Sequence, residues 1–194
     1  MKILYLHGFS SAPASHKAQR LRQALAPADF IIADYPSHQP RRAIAAIETI
    51  LDSLTSDYPG KGIAVVGSSL GGYYAQYLAS EYPQIDKVVM LNPALDPQPP
   101  LQSWIGKNTN MITGEPFTFS HEEWEQLADY DIDTARITTP TLLLVDEKDE
   151  VIDPTFAVNK YRSLPGKTVL YPGGHHSFAH LDEAIPEIKT FLSF

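Results

Sequence analysis

The stretch Gly67-Ser68-Ser69-Leu70-Gly71 constrains this chain more than any other. It stands between the apolar run Ile63-Ala64-Val65-Val66 and the helix-compatible segment Gly72-Tyr73-Tyr74-Ala75-Gln76-Tyr77-Leu78-Ala79. A chain that leaves a buried strand and enters a helix so quickly must turn sharply, and glycine on both sides of the turn leaves the room a Cβ would take. Strand, tight turn with a central serine, then helix is the layout of a nucleophile elbow. It lifts the Ser69 hydroxyl above the sheet, beside free N–H groups and the positive end of a helix dipole. Alone, the pattern equally suits a glycine-rich turn in any α/β protein. What decides is whether an acid, a histidine and oxyanion donors stand in the right places.

Apolar runs of strand length occur at residues 3–6, 30–33, 63–66, 88–91, 141–145 and 168–170. Most are continuous rather than alternating, as expected of strands covered on both faces. Helical patterns fill 15–25, 41–54, 69–81, 154–163 and 182–191; in the second, Ile44, Ile47, Leu51 and Leu54 mark one face. This alternation predicts an α/β fold with about six mainly parallel strands flanked by helices and joined by right-handed crossovers. The length, 194 residues, suits one domain spanning 1–194.

One interval breaks the rhythm. Residues 92–140 show no strand, and Pro93, Pro97, Pro99 and Pro100 crowd the start. A short helix is expected near 120–128, with Ser120 as cap and Glu123 at the capping-box position. Trp104, Ile105, Met111, Phe117, Phe119 and Trp124 make the interval too apolar for a disordered loop. It is expected to form a small lid, about 95–135, with some of Trp104, Ile105, Phe117, Phe119 and Trp124 lining an acyl pocket.

Composition removes several classes of function. The formal net charge of −8 leaves no electrostatic footprint for nucleic acid or an anionic membrane. The absence of cysteine excludes a thiol nucleophile, a thiolate metal site and a disulfide framework, and fits a cytoplasmic location. No apolar run is long enough to span a bilayer, and Met1-Lys2-Ile3-Leu4-Tyr5-Leu6 reads as a first core strand rather than a secretory signal. Nothing fixes the oligomeric state.

A serine hydroxyl needs a base, an acid that orients the base, and donors for the oxyanion. After the strand at 141–145 comes the acidic loop Asp146-Glu147-Lys148-Asp149-Glu150-Val151-Ile152-Asp153. Asp153 precedes Pro154 and reads as a helix N-cap; Asp146 ends the strand and reads as the start of the turn; Asp149, mid-loop, is the acid chosen. After the last strand, Pro172-Gly173-Gly174 leads into His175-His176-Ser177-Phe178. One ring can face inward; His176 is preferred as base and His175 is the fallback. The oxyanion donors are assigned to the N–H groups of Leu70, after the nucleophile, and Phe9, in the loop His7-Gly8-Phe9-Ser10-Ser11 after the first strand. His7 is expected to shape that loop.

Together these residues resemble the α/β-hydrolase superfamily, and more narrowly the small bacterial YqiA/YcfP-like esterase family. The likeness is carried by Leu6-His7-Gly8-Phe9-Ser10-Ser11, Val66 to Ala75, Leu91-Asn92-Pro93-Ala94, Ile105-Gly106-Lys107-Asn108, Thr113-Gly114, Asp149-Glu150-Val151, and Gly173-Gly174 with His176 and Phe178. It covers nearly the whole chain. It implies a triad of Ser69, Asp149 and His176, hydrolysis of carboxylic esters with short to medium acyl chains, a small-molecule acyl ester as substrate, and no cofactor or metal. Asp146 stands where many larger α/β hydrolases place glycine. The alternatives are an acyl-CoA thioesterase using the same residues, for which Lys107 is the one obvious basic residue in the lid, and a non-catalytic binding module on this fold.

Overall fold

The computed structural model describes residues 1–193. Its strands are β1 (Lys2–Leu6), β2 (Asp29–Ile32), β3 (Ile63–Ser68), β4 (Ile85–Leu91), β5 (Gly106–Thr109), β6 (Pro116–Phe119), β7 (Thr141–Asp146) and β8 (Gly166–Tyr171). Six of them form one sheet in the order β2-β1-β3-β4-β7-β8, and every pairing in it is parallel. The helices are α1 (His16–Ala24), α2 (Pro40–Asp57), α3 (Leu70–Glu81), α4 (Gln98–Leu101), α5 (His121–Gln126), α6 (Pro154–Tyr161) and α7 (Leu181–Leu192).

Because strand side chains alternate between faces, each central strand feeds two cores. Leu4, Val65, Met90 and Leu143 pack with Ile47 and Leu51 of α2 and Leu78 of α3 on one face. Ile3, Tyr5, Val66, Leu91 and Leu144 pack with Leu21 of α1 and Ile188 of α7 on the other. A fully buried leucine or isoleucine contributes about 1.5–3 kcal/mol, so these faces suffice to dock α1 and α7 as one layer and α2, α3 and α6 as the opposite one. Strands β1, β3, β7 and β8 all deliver their carboxyl ends to one edge, where ligands bind in open parallel sheets.

The expectation that residues 92–140 hold no strand is overturned. β5 and β6 pair antiparallel as a separate hairpin, Lys107 opposite Thr118 and Asn108 opposite Phe117. β5 is polar and glycine-led and β6 begins with proline, so neither offers a continuous apolar run. The Phe117–Phe119 alternation was the available signal. The capped helix does form: Ser120 and Glu123 make both bonds of a capping box at α5, and Leu127–Tyr130 continues as 3-10 helix. Asp153 caps α6, with Pro154 in its first turn.

Candidate active site

The turn between β3 and α3 is tight enough that only glycine fits on either side. A Cβ on Gly67 would strike the Gly71 carbonyl, and one on Gly71 would strike the Leu6 carbonyl of β1. Between them Ser69 adopts φ 53° and ψ −121°, a region costing an L-residue on the order of 1–3 kcal/mol. The conformation is held by Ser69 N–H donating to the Leu91 carbonyl at 3.0 Å, while the Ser69 carbonyl accepts from Gly72 N–H at 2.9 Å and Ala94 N–H at 3.1 Å.

The Ser69 hydroxyl lies 2.9 Å from His176 Nε2, and His176 Nδ1 lies 2.8 Å from Asp149 Oδ2. With the proton on Nδ1, that nitrogen donates to Asp149 and Nε2 is free to accept from Ser69. The Asp149 side chain is 2% exposed. Burial alone would raise its carboxyl pKa; bonds from His176 and from the N–H groups of Ile152 and Val151 outweigh it and hold the value below the ordinary one. Of the two adjacent histidines, His176 faces Ser69 and His175 is exposed.

Two buried residues fix the loop that carries His176. Asn92, itself at φ 42°, donates through Nδ2 to the carbonyls of His175 at 3.0 Å and His176 at 3.2 Å, and its Oδ1 accepts from Asp146 N–H at 2.7 Å. Asp146 is fully buried; it accepts from the N–H groups of His175 (3.1 Å) and Ala179 (2.7 Å) and from His180 Nδ1 (2.7 Å). It therefore does far more than start a turn: it clamps the loop from beneath. Glu150 Oε2 accepts the His176 N–H at 3.0 Å.

The loop after β1 runs close to the serine, since a Cβ on Gly8 would stand 3.1 Å from Ser69 Cβ. The N–H groups of Phe9 and Leu70 meet no acceptor among the described residues, and both residues line the cleft over Ser69. The Phe9 ring is held edge-on by Trp104, Phe117 and Phe119 at centroid distances of 5.5, 5.7 and 5.0 Å. His7 is buried, stacked on Tyr35 at 4.3 Å, with the Tyr35 hydroxyl donating to its carbonyl. It braces the loop.

The cleft measures about 650 Å³. Of the apolar residues expected to line it, Trp104 does, joined by Leu101, Met111, Ile112, Val151 and Ile152. Phe117 and Phe119 pack around Phe9 instead, Trp124 donates from Nε1 to the Gln98 carbonyl at 2.8 Å, and Ile105 is exposed. The hairpin thus supports the loop after β1 more than it lines the cleft. Sequence reasoning also passed over Lys17. It stands four residues before buried Leu21, on the inward face of α1, and donates from Nζ to Ser68 Oγ at 2.7 Å. Burial lowers its pKa to about 8, against the opposing fields of Asp146 and Asp149.

Residues 2–193 match the uncharacterised protein family UPF0227. Among solved structures, the chain is similar to Est1E from Butyrivibrio proteoclasticus, with TM-score 0.77 and 17% identity over 98% of this chain and 86% of that one. It is similar to the alpha/beta hydrolase domain-containing protein 10 from mouse (TM-score 0.74, 16% identity, 99% of this chain and 89% of that one). An esterase domain from a Rhodothermus marinus protein gives TM-score 0.66 at 17% identity, over 95% and 81% of the two chains. At these identities the likeness carries the fold, which is that of the α/β hydrolases.

Proposed function

We propose that this chain, which belongs to the uncharacterised protein family UPF0227, is a serine carboxylesterase acting on short to medium acyl esters. One observation carries the reading: an unbroken line of hydrogen bonds from Ser69 through His176 to buried Asp149, beside two N–H groups with no acceptor among the described residues. The esterases among its structural neighbours support the same reaction class.

In this mechanism His176 Nε2 takes the hydroxyl proton as Ser69 Oγ attacks the ester carbonyl. The carbonyl oxygen becomes an oxyanion received by the N–H groups of Phe9 and Leu70. Such preorganised donors are each worth about 10²–10³ in kcat. The imidazolium, stabilised by Asp149, then protonates the alcohol as the C–O bond breaks, leaving an acyl-enzyme. Water enters, gives its proton to His176 and attacks the acyl carbon; the proton returns to Ser69 Oγ as the acid leaves. The strained turn and the clamps on the histidine loop supply the preorganisation.

Labelling with a fluorophosphonate, followed by peptide mapping, tests the reading. Modification of Ser69, lost in His176→Ala, is expected along with turnover of 4-nitrophenyl acyl esters. A folded protein that reacts at no serine and turns over no ester would sink it.

A further inference from the structure

We propose that the α1 end of the cleft is a carboxylate subsite, in which Lys17 Nζ, Ser15 Oγ and the first-turn N–H groups of α1 receive a carboxylate carried by the ester substrate. Lys2, Lys160 and Lys167 each pair with a carboxylate, but Lys17 forms no ion pair among the described residues. Its ammonium has three donors, and Ser68 Oγ takes one of them. Ser15 occupies the N-cap position of the nine-residue α1, yet its side chain makes no capping bond. The residue is 8% exposed and, among the described residues, its Oγ stands near the Tyr5 phenol but makes no hydrogen bond of good geometry. No acidic residue occupies the first turn, so that helix end is left positive and uncapped. Ser15, His16 and Lys17 all line the same cleft as Ser69.

The neighbouring acids are engaged elsewhere. Asp149 serves His176, Asp146 serves the histidine loop and His180, Glu150, which lines the cleft on the side of His176, accepts the His176 N–H at 3.0 Å, and Asp182 pairs with Arg20 at 2.7 Å. The Tyr5 phenol lies beside Ser68 and Ser15, and burial raises its pKa, so it stays a neutral donor. One cation within the fields of Asp146 and Asp149 matches one negative charge better than the two of a phosphate monoester. Ser68 and Ser69 are adjacent, with Cα atoms about 3.8 Å apart. Only a short span therefore separates the reacting carbonyl from the ammonium. The fitting substrates are half-esters of short dicarboxylic acids, or short acyl esters of a hydroxy acid.

The charge has a pH range. The groups facing this wall are His16 on α1, Tyr5 on β1, Asp146 at the end of β7, Asp149 and Glu150 in the loop after it, His175 and His176 after β8, and Asp182 on α7. With the Lys17 value at about 8, the ammonium is charged below that pH, and carboxylate recognition is lost as pH rises through it.

The substrate rests on the esterase reading; the binding does not. Ser69→Ala is titrated calorimetrically with monomethyl glutarate and dimethyl glutarate at a pH well below 8. The monoanion is expected to bind at least about tenfold tighter, as charge-assisted hydrogen bonds allow. Adding Lys17→Met should erase that difference. This difference with no turnover in the wild type would reject the esterase and keep the subsite. In the active enzyme, kcat/KM is compared for monomethyl glutarate against methyl valerate, and for O-butyryl glycolate against ethyl butyrate. The pair with the higher ratio tells which half of the ester carries the carboxylate. That ratio should exceed about tenfold, fall toward one above pH 8 and collapse in Lys17→Met. If Lys17→Met fails to fold, Ser15→Ala should still lower the ratio several-fold, and Lys17→Arg should keep most of it. Ratios near one in the wild type, or equal losses on both members of a pair in Lys17→Met, would mean that Lys17 only anchors Ser68, and would overturn the subsite.

Discussion

The wall built by the loops after β3, β4, β7 and β8 is fixed by buried polar side chains, whereas the wall built by α4 and the β5–β6 hairpin is fixed by rings and a few bonds between loops. On the first, Asn92 and Asp146 make three hydrogen bonds each to the backbone and side chains around the histidine loop. On the second, Ser10 Oγ donates to the Thr109 carbonyl, Met111 N–H to the Ser10 carbonyl and Asn110 Nδ2 to the Ser11 carbonyl, each at 3.0–3.2 Å. Met111 is 69% exposed. Directional bonds in a buried setting place atoms within tenths of an ångström; apolar contacts accept changes of volume. The first wall should therefore set the rate and the second the choice of acyl group.

The largest effect expected is on the first wall. Ser69→Ala should lower kcat by about 10⁶, and His176→Ala comparably, while His175→Ala keeps most activity. Single-turnover kinetics on 4-nitrophenyl butyrate would check this, and an inactive His175→Ala would break the assignment. Asp149→Asn keeps the shape but favours the wrong tautomer, with a loss of about 10⁴ expected in kcat at nearly unchanged KM. Next comes the junction between the walls. Phe119→Ala, emptying a buried ring site under Phe9, should destabilise by about 3–5 kcal/mol in urea melts and also lower kcat. A stability loss with kcat untouched would show that the ring cluster does not position the Phe9 N–H. The smallest effect belongs to the second wall. Each added methylene is worth about 0.8 kcal/mol, or up to fourfold in kcat/KM, until the acyl chain outgrows the cleft. Trp104→Ala should shift that optimum to longer chains, and an unmoved chain-length profile would break the division of labour between the walls.

Much of the first wall was legible in the sequence because its strands are continuous apolar runs and its proposed catalytic residues follow the ends of those runs. The order Ser69, Asp149, His176 needs no knowledge of which loops touch. The clamps do: Asn92 meets the histidine loop, and Asp146 meets His180, only once β4, β7 and β8 lie side by side. From the sequence, Asp146 was one acid among several. The hairpin escaped because Gly106-Lys107-Asn108-Thr109 carries no apolar period, and its Phe117 and Phe119 read as pocket rather than as support. Lys17 could have been found, since its spacing to Leu21 puts it on a buried face where lysine is unusual.

Phe9 joins the two walls: it lines the cleft over Ser69, where its N–H is the proposed oxyanion donor, while its ring is gripped by Trp104, Phe117 and Phe119. For anyone redesigning this chain, that makes the three rings an exception to the division between the walls, coupling selectivity to turnover. Enlarging the site by trimming those rings would loosen the oxyanion donor at the same stroke, so variants selected for bulky acids should come out slow. Met111 and Ile112 face the cleft from outside the ring cluster. A laboratory lineage evolved toward larger substrates should collect its early, turnover-neutral changes at those two positions.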